Sequence, residues 1–229
     1  MNFNTRKQSF IKLGEFMASN HPTIKEVIQC AYQKNNWFLP EFIENALNQI
    51  TTQFLTPKSL HEIAEKYPLN KVGLSNLNIG VIMAGNIPLV GFHDFLCVLL
   101  AGFNIQIKLS TKDDVLLPFL IQKLIEIEPA FKNKIEIKDR LLHCNAYITA
   151  GSNNSSRYFE FYFGKKPHII RANKTSIAIL NGQETEDNLE NLTNDIFLYF
   201  GMGCRNVSCL FLPQNYNFDS LINHFKKYD

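Results

Sequence analysis

The chain has 229 residues, 45% of them hydrophobic and 19% charged, with a net charge of +2. That length and balance suit a globular protein with a sizeable core, in one large domain or one and a half smaller ones. So small a charge excess speaks against a nucleic-acid-binding surface. The longest apolar run, 95–103, is too short to cross a bilayer, and residues 1–20 hold no apolar stretch of the kind found in secretory signals. Cysteines stand at 30, 97, 144, 204 and 209. The close pair Cys204 and Cys209 lacks the second cysteine or histidine pair that a structural zinc site needs. The expectation is a reduced, cytoplasmic protein with no metal and no membrane span.

Residues 5–67 read as helical. Ile24, Val27, Ile28 and Ala31 recur at i, i+3, i+4 and i+7, and Phe42, Ile43, Ala46, Leu47 and Ile50 repeat the pattern. Pro22 and Pro57 stand near helix starts, and Thr56-Pro57-Lys58-Ser59 is an entry signal. The segment 35–40 breaks two of these helices. From Asn78 the texture changes: the continuous apolar run 79–84 predicts a strand buried on both faces. A helix over 92–101, a strand over 104–108, a helix over 113–127 and a strand over 146–149 follow. Then come a helix over 155–162, strands near 168–171 and 176–180, a helix over 186–200, a strand over 207–213 and a helix over 218–227. Strands alternating with helices predict βαβ units and an α/β fold with a parallel sheet. Cys30 and Cys97 fall within helical apolar patterns, and Cys209 alternates with Val207 and Phe211 along one strand face. All three are expected in the core.

Ligands of open α/β sheets sit beyond the carboxyl ends of the strands, where three loops fall. In Ala84-Gly85-Asn86-Ile87-Pro88 the glycine allows close approach, and Asn86 either donates to a developing oxyanion or merely caps the turn. In Lys108-Leu109-Ser110-Thr111 a cation and hydroxyls leave a strand, either to hold a ribose or phosphate or to cap a helix beside a solvated lysine. In Gly151-Ser152-Asn153-Asn154-Ser155-Ser156 small polar residues enter a helix, whose N-terminus favours a phosphate, although such a run is also an ordinary N-cap. Repetition on successive β–α turns is the stronger signal. Two histidines are candidates for proton transfer: His93, beside Asp94 at the start of an apolar helix, reads as structural, and His168, after Lys165-Lys166-Pro167, is carried as a catalytic candidate.

One cysteine has the setting of a nucleophile. In Phe200-Gly201-Met202-Gly203-Cys204-Arg205-Asn206-Val207-Ser208 two glycines permit a tight bend, and an adjacent cation such as Arg205 favours the nucleophilic thiolate. The stretch lies between a helix and a strand, where a covalent catalyst can meet its substrate. The alternative is a small residue packed in a turn.

Taken together, four stretches closely resemble the acyl-CoA reductases of the LuxC type, a branch of the aldehyde dehydrogenase superfamily. They are 78–96, with its core Gly85-Asn86-Ile87-Pro88-Leu89-Val90-Gly91-Phe92-His93-Asp94-Phe95, then 108–113, 149–156 and 199–208. The resemblance also takes in Asn36-Trp37-Phe38. It implies an aldehyde dehydrogenase-like fold: a Rossmann-like parallel sheet with helices on both faces, a helical N-terminal segment and a truncated catalytic domain. The nucleotide-binding domain is expected over 1–181, with 1–75 its helical lead-in, and the first part of the catalytic domain over 182–229, since family members continue well beyond Asp229.

The activity implied is NADPH-dependent reduction of a fatty acyl-CoA to the aldehyde through a thioester on Cys204. By position Asn86 and the Cys204 backbone N–H match the oxyanion donors. Lys108 and Ser110 match the adenosine-ribose contacts, and Gly151 and Ser152 the turn against the pyrophosphate. Thr111 stands where NAD-preferring members often carry a glutamate that would repel a 2′-phosphate, so NADPH is expected over NADH. The hydrolytic members' glutamate has no counterpart in 169–175. The full-length form is expected to be a homo-oligomer. The rival expectation is a non-catalytic nucleotide-binding or assembly module of the same family.

Overall fold

The computed structural model describes residues 1–19, 21–67 and 76–228. Four helices lead the chain: α1 (Phe3–Ala18), α2 (Pro22–Lys34), α3 (Pro40–Gln53) and α4 (Pro57–Lys66). The last three open on proline, whose missing N–H has no intrahelical partner to lose at that position and whose φ is already helical. Asn2 and Thr56 cap α1 and α4 by accepting the N–H groups of Thr5 and Ser59, at 2.8 and 3.0 Å. Each such cap contributes about 1 kcal/mol.

A five-stranded sheet follows, formed by β1 (Asn78–Ile82), β2 (Asn104–Lys108), β3 (Ile135–Ile137), β4 (Ala146–Ala150) and β5 (His168–Arg171). Its order is β3-β2-β1-β4-β5 and every pairing is parallel. The linking helices are α5 (Phe92–Ala101), α6 (Leu116–Ile127) and α7 (Asn153–Phe163). From β1 the chain steps one way to β2 and β3, and from β4 the other way to β5. Because parallel crossovers are right-handed, the two directions put α5 and α6 on one face and α7 on the other. The expected α/β architecture with helices on both faces is the one observed.

The N-terminal helices share the core of the sheet. Phe10 of α1 makes edge contacts with Phe95 of α5 and with Phe131, ring centroids 6.1 and 5.8 Å apart. Nearby, the buried Arg6 donates its Nε to the Leu100 carbonyl at 2.9 Å. α5 ends at Gly102, whose φ of 94° closes the helix in the left-handed conformation that glycine tolerates best.

The chain divides into two compact units, Met1–Ala172 and Asn173–Asp229. The division falls before the expected boundary at 181/182 because β6 (Ser176–Ile179) leaves the large sheet and pairs in parallel with β7 (Val207–Phe211). Between them runs α8 (Glu186–Phe197), opened by a capping box of Thr185 and Asn188, and α9 (Asp219–Phe225) follows β7. Leu180, Leu189 and Leu221 form the small core of this unit.

Several local expectations change. α6 begins at Leu116 rather than at 113, because residues 110–113 close a turn. The 3-10 turn Pro129–Asn133 and the short β3 lie in a stretch with no expected element. The helix expected over 186–200 stops at Phe197, and Tyr199 and Phe200 take left-handed angles, φ 57° and 54°. Cys209 and Phe211 face outward while Leu210 packs inward, the reverse of the expected face. Cys30 is likewise exposed and Cys97 only half-buried. No described helix is long and apolar enough to cross a membrane.

Candidate functional site

In a parallel sheet every carboxyl end lies on the same edge, so the loops after β1, β2 and β4 all open on that edge, on either side of the point where the strand order reverses. The Met83 N–H donates to the Lys108 carbonyl at 3.0 Å, which carries the β1–β2 pairing into these loops. Gly85 lies against Ser110: a Cβ there would stand 2.4 Å from the Ser110 Oγ and 2.6 Å from its Cβ. Glycine at 85 is therefore required by contact, one residue before Asn86, which is half-buried in the loop.

Across from it, the buried Asp113 accepts the Leu89 N–H at 2.7 Å through Oδ2. Leu89 holds φ 56°, a left-handed angle that a side chain other than glycine rarely adopts. Burial pushes the Asp113 carboxyl up to about 6; the Leu89 N–H works against the rise and neighbouring Asp114 adds to it. Asp114 is paired with Lys34 at 2.7 Å, and the Asn35 side-chain amide donates to the Lys112 carbonyl at 3.0 Å. Both carboxylates that follow Thr111 thus have partners of their own, while Thr111 and Lys112 are exposed. Lys108 donates its Nζ to the Asp139 carbonyl at 2.9 Å, and the Ser110 Oγ accepts the Lys112 N–H at 3.3 Å.

The third loop is a helix entry. The Gly151 N–H donates to the Arg171 carbonyl at 3.1 Å, and Ser152 caps α7 by accepting the Ser155 N–H at 3.2 Å. A Cβ on Gly151 would meet the Ser155 Cβ at 3.0 Å and the Phe159 ring at 3.1 Å, so the turn sits tightly on the positive end of α7. Lys108, Ser110, Thr111, Gly151 and Ser152 therefore stand with Asn86 on one edge of one sheet. Hydroxyls, a cation and a helix N-terminus thus share that edge.

His168 does not join them. It begins β5, level with Tyr147 on β4, four residues and about 13 Å before Gly151 at the usual strand rise. On that opposite edge its Nδ1 meets the Lys166 carbonyl at 2.8 Å and its Nε2 lies 3.5 Å from Glu160. A histidine entering a parallel strand lies at the wrong end of it for this site.

Sequence reasoning also missed an ion pair. Arg171, the last residue of β5, meets Asp94 in the first turn of α5 at 2.5 Å. Burial opposes the charge on Asp94, but His93 and Arg171 outweigh it and hold its pKa below the ordinary value. His93, 3.9 Å from Asp94 and 3.7 Å from the Cys97 Sγ, is pushed up to about 10 by hydrogen bonds to those two neighbours. The 77-residue separation of Arg171 and Asp94 leaves no local signal in the sequence.

In the second unit Cys204 is exposed, on the turn between Gly201 and β7. The Asn206 N–H closes that turn on the Gly203 carbonyl at 3.0 Å. The Asn206 side-chain amide reaches back to the carbonyls of Asp195, Ile196 and Leu198, at 2.9, 3.3 and 3.1 Å. These are orphan acceptors at the end of α8, so one asparagine both ends the helix and anchors the segment that presents the thiol.

No protein-family model matches the sequence, and no curated protein is similar enough to count as a relative. Solved structures are similar. Aldehyde dehydrogenase 21 of Physcomitrella patens, in complex with its product succinate, superposes with a TM-score of 0.77 at 15% identity, over 100% of this chain and 52% of that one. An aldehyde dehydrogenase of Bacillus cereus with NAD+ gives 0.75 at 14% identity, covering 100% and 50%. A glyceraldehyde-3-phosphate dehydrogenase of Methanocaldococcus jannaschii with NADP gives 0.74 at 13%, covering 100% and 54%. The fold is that of the aldehyde dehydrogenases. The chain spans about half the length of the structures it resembles.

Proposed function

We propose that the chain serves a nicotinamide-dependent reductase of fatty acyl-CoA thioesters, with Cys204 as the acyl-accepting thiol and NADPH as the cofactor. The observation that carries this reading is the convergence of Asn86, Lys108, Ser110, Thr111, Gly151 and Ser152 on one sheet edge. It is supported by the resemblance of the same loops, and of the Cys204 turn, to the LuxC-type reductases, and by the cofactors bound in structurally similar proteins.

Each group then has a task. The Cys204 thiol gives its proton to water, and the resulting thiolate attacks the thioester carbonyl carbon and forms the new C–S bond, while the carbonyl electron pair moves to oxygen. By the resemblance alone, the Asn86 side-chain amide and the Cys204 backbone N–H would each be an oxyanion donor, a stabilisation that grows as the charge develops. Collapse breaks the bond to CoA, which leaves as its thiol with a proton from water, and the acyl group stays on Cys204. Lys108, Ser110 and Thr111 would hold the adenosine ribose and its 2′-phosphate. The turn at Gly151 and Ser152 would take the pyrophosphate. The cofactor, when bound, supplies the hydride that reduces the acyl carbon; loss of the thiolate then releases the aldehyde and restores Cys204. Stretch 169–175 offers no carboxylate to activate water, and Arg171 within it is bound to Asp94, which favours hydride transfer over hydrolysis of the acyl-enzyme.

Intact-mass measurement after incubation with a long-chain acyl-CoA tests the assignment. The expected result is one acyl mass on the chain, lost in Cys204→Ala with NADPH binding retained. An unmodified wild type that still binds NADPH supports a nucleotide-binding module without turnover, and an undiminished adduct in Cys204→Ala overturns the choice of nucleophile.

A further inference from the structure

We propose that Asp113 is a positioning residue that, together with Ser110, clamps the Asn86 loop at both ends and makes it move with the cofactor loop. The inference rests on the functional reading above. It arises from a juxtaposition of two short segments. At one end, Gly85 lies so close to Ser110 that no side chain fits between them. At the other, the Leu89 N–H is held by Asp113 at 2.7 Å. Asn86 lies between these two grips, and both come from residues 110–113.

The second grip carries a cost that calls for a reason. Asp113 is 9% exposed, and its Oδ1 is buried with no hydrogen-bond partner. Burying a carboxyl group with an oxygen unpaired is unfavourable, and packing alone would be met by an apolar side chain. Leu89, moreover, is held in a left-handed conformation with its side chain buried. Such strain persists where the surroundings over-determine it, and here the Asp113 carboxyl and the buried Leu89 side chain do so. Direct contacts therefore tie residues 110–113, assigned above to the cofactor ribose, to Gly85 and Leu89 on either side of Asn86. Coupling between sites travels through packed side chains and hydrogen bonds of this kind.

The full chain, isotope-labelled for NMR, tests this in three readouts. A scalar coupling across the hydrogen bond from the Leu89 nitrogen to the Asp113 carboxyl carbon is expected in the unaltered protein, and its absence overturns the inference. On titration with NADPH, the Asn86 side-chain NH2 and the Leu89 amide should shift with the same midpoint as residues 110–113. In Asp113→Leu the shifts at 110–112 should remain while the Asn86 response falls at least fourfold; in Asp113→Asn, which keeps an acceptor, both should remain. A cofactor response at 110–113 with none at Asn86, or an undiminished Asn86 response in Asp113→Leu, overturns the coupling.

The third readout needs no cofactor. The Asn86 and Leu89 signals should titrate together near pH 6 in the wild type, where burial and Asp114 act on Asp113 in the same direction and Lys34 stands beyond as the partner of Asp114. Asp113→Asn should abolish that titration without altering the loop. If NADPH and NADH shift nothing, the cofactor assignment fails; the ligand-free titration and the scalar coupling still decide the clamp.

Discussion

The Arg171 guanidinium closes on the Asp94 carboxylate at 2.5 Å, joining the end of the outer strand β5 to the helix that follows the central strand β1. The Asp94 side chain is only 14% exposed, so its charge depends on His93 and on that cation. Arg171→Ala should cost about 1–3 kcal/mol, below the full range for buried pairs because the arginine itself is partly solvated. Asp94→Asn in the same background should restore part of the loss. Denaturant unfolding of the two single variants and the double variant measures the coupling, and purely additive effects would show that the pair contributes nothing.

Asp113 predicts an unusual slope of stability with pH. Its folded-state pKa, about 6, lies above the ordinary 3.8, so between those values the folded chain holds a proton that the unfolded chain has released. Stability therefore falls as pH rises through that window, by up to about 3 kcal/mol at ~1.4 kcal/mol per unit. Asp113→Asn should be flatter over the same range. Unfolding curves at half-unit intervals from pH 4 to 7 provide the comparison.

Asn206→Ala should remove the donor shared by three carbonyls at the end of α8. Those acceptors lie near solvent, so a loss of about 1–2 kcal/mol is expected, with faster amide exchange over residues 198–206. Unchanged exchange there would mean that the left-handed pair Tyr199 and Phe200 maintains the bend unaided.

The parts of this fold that showed in the sequence are those with local causes. Proline at helix starts, apolar spacing along the helices and short apolar strands gave most elements within a few residues. β3 escaped because it is three residues long with only Ile135 buried. The Cys209 face was misassigned because both alternating sets of β7 carry apolar side chains. Period 2 then separates two faces without saying which one turns inward, and the small core around Leu189 selects Leu210. The loops at the sheet edge were legible as a recurring pattern. The grip of Asp113 on Leu89 and of Arg171 on Asp94 was not, because strand order creates both contacts.

On the proposed function, Asn86→Ala should lower turnover in acyl-CoA reduction by about 10²–10³-fold with little change in cofactor binding, the usual effect of losing one oxyanion donor. A variant with near-wild-type kcat would reduce Asn86 to a turn residue.

If NADPH is the cofactor as proposed, Thr111→Glu should shift preference toward NADH. A carboxylate added at this exposed position would repel a 2′-phosphate and offer an acceptor to a free ribose hydroxyl. Fluorescence titration of both reduced cofactors reads the change, and equal or tighter NADH binding by the wild type would refute the preference.

The contact between Gly85 and Ser110 also constrains how this sequence can drift. A methyl group at 85 would fall within 2.6 Å of both the Ser110 Cβ and Oγ, so position 85 cannot gain a side chain while Ser110 keeps its own. Tolerated changes at the two sites should therefore arrive as compensating pairs, and in a combinatorial library covering 85 and 110 the survivors should show an inverse relation of side-chain size rather than independent preferences.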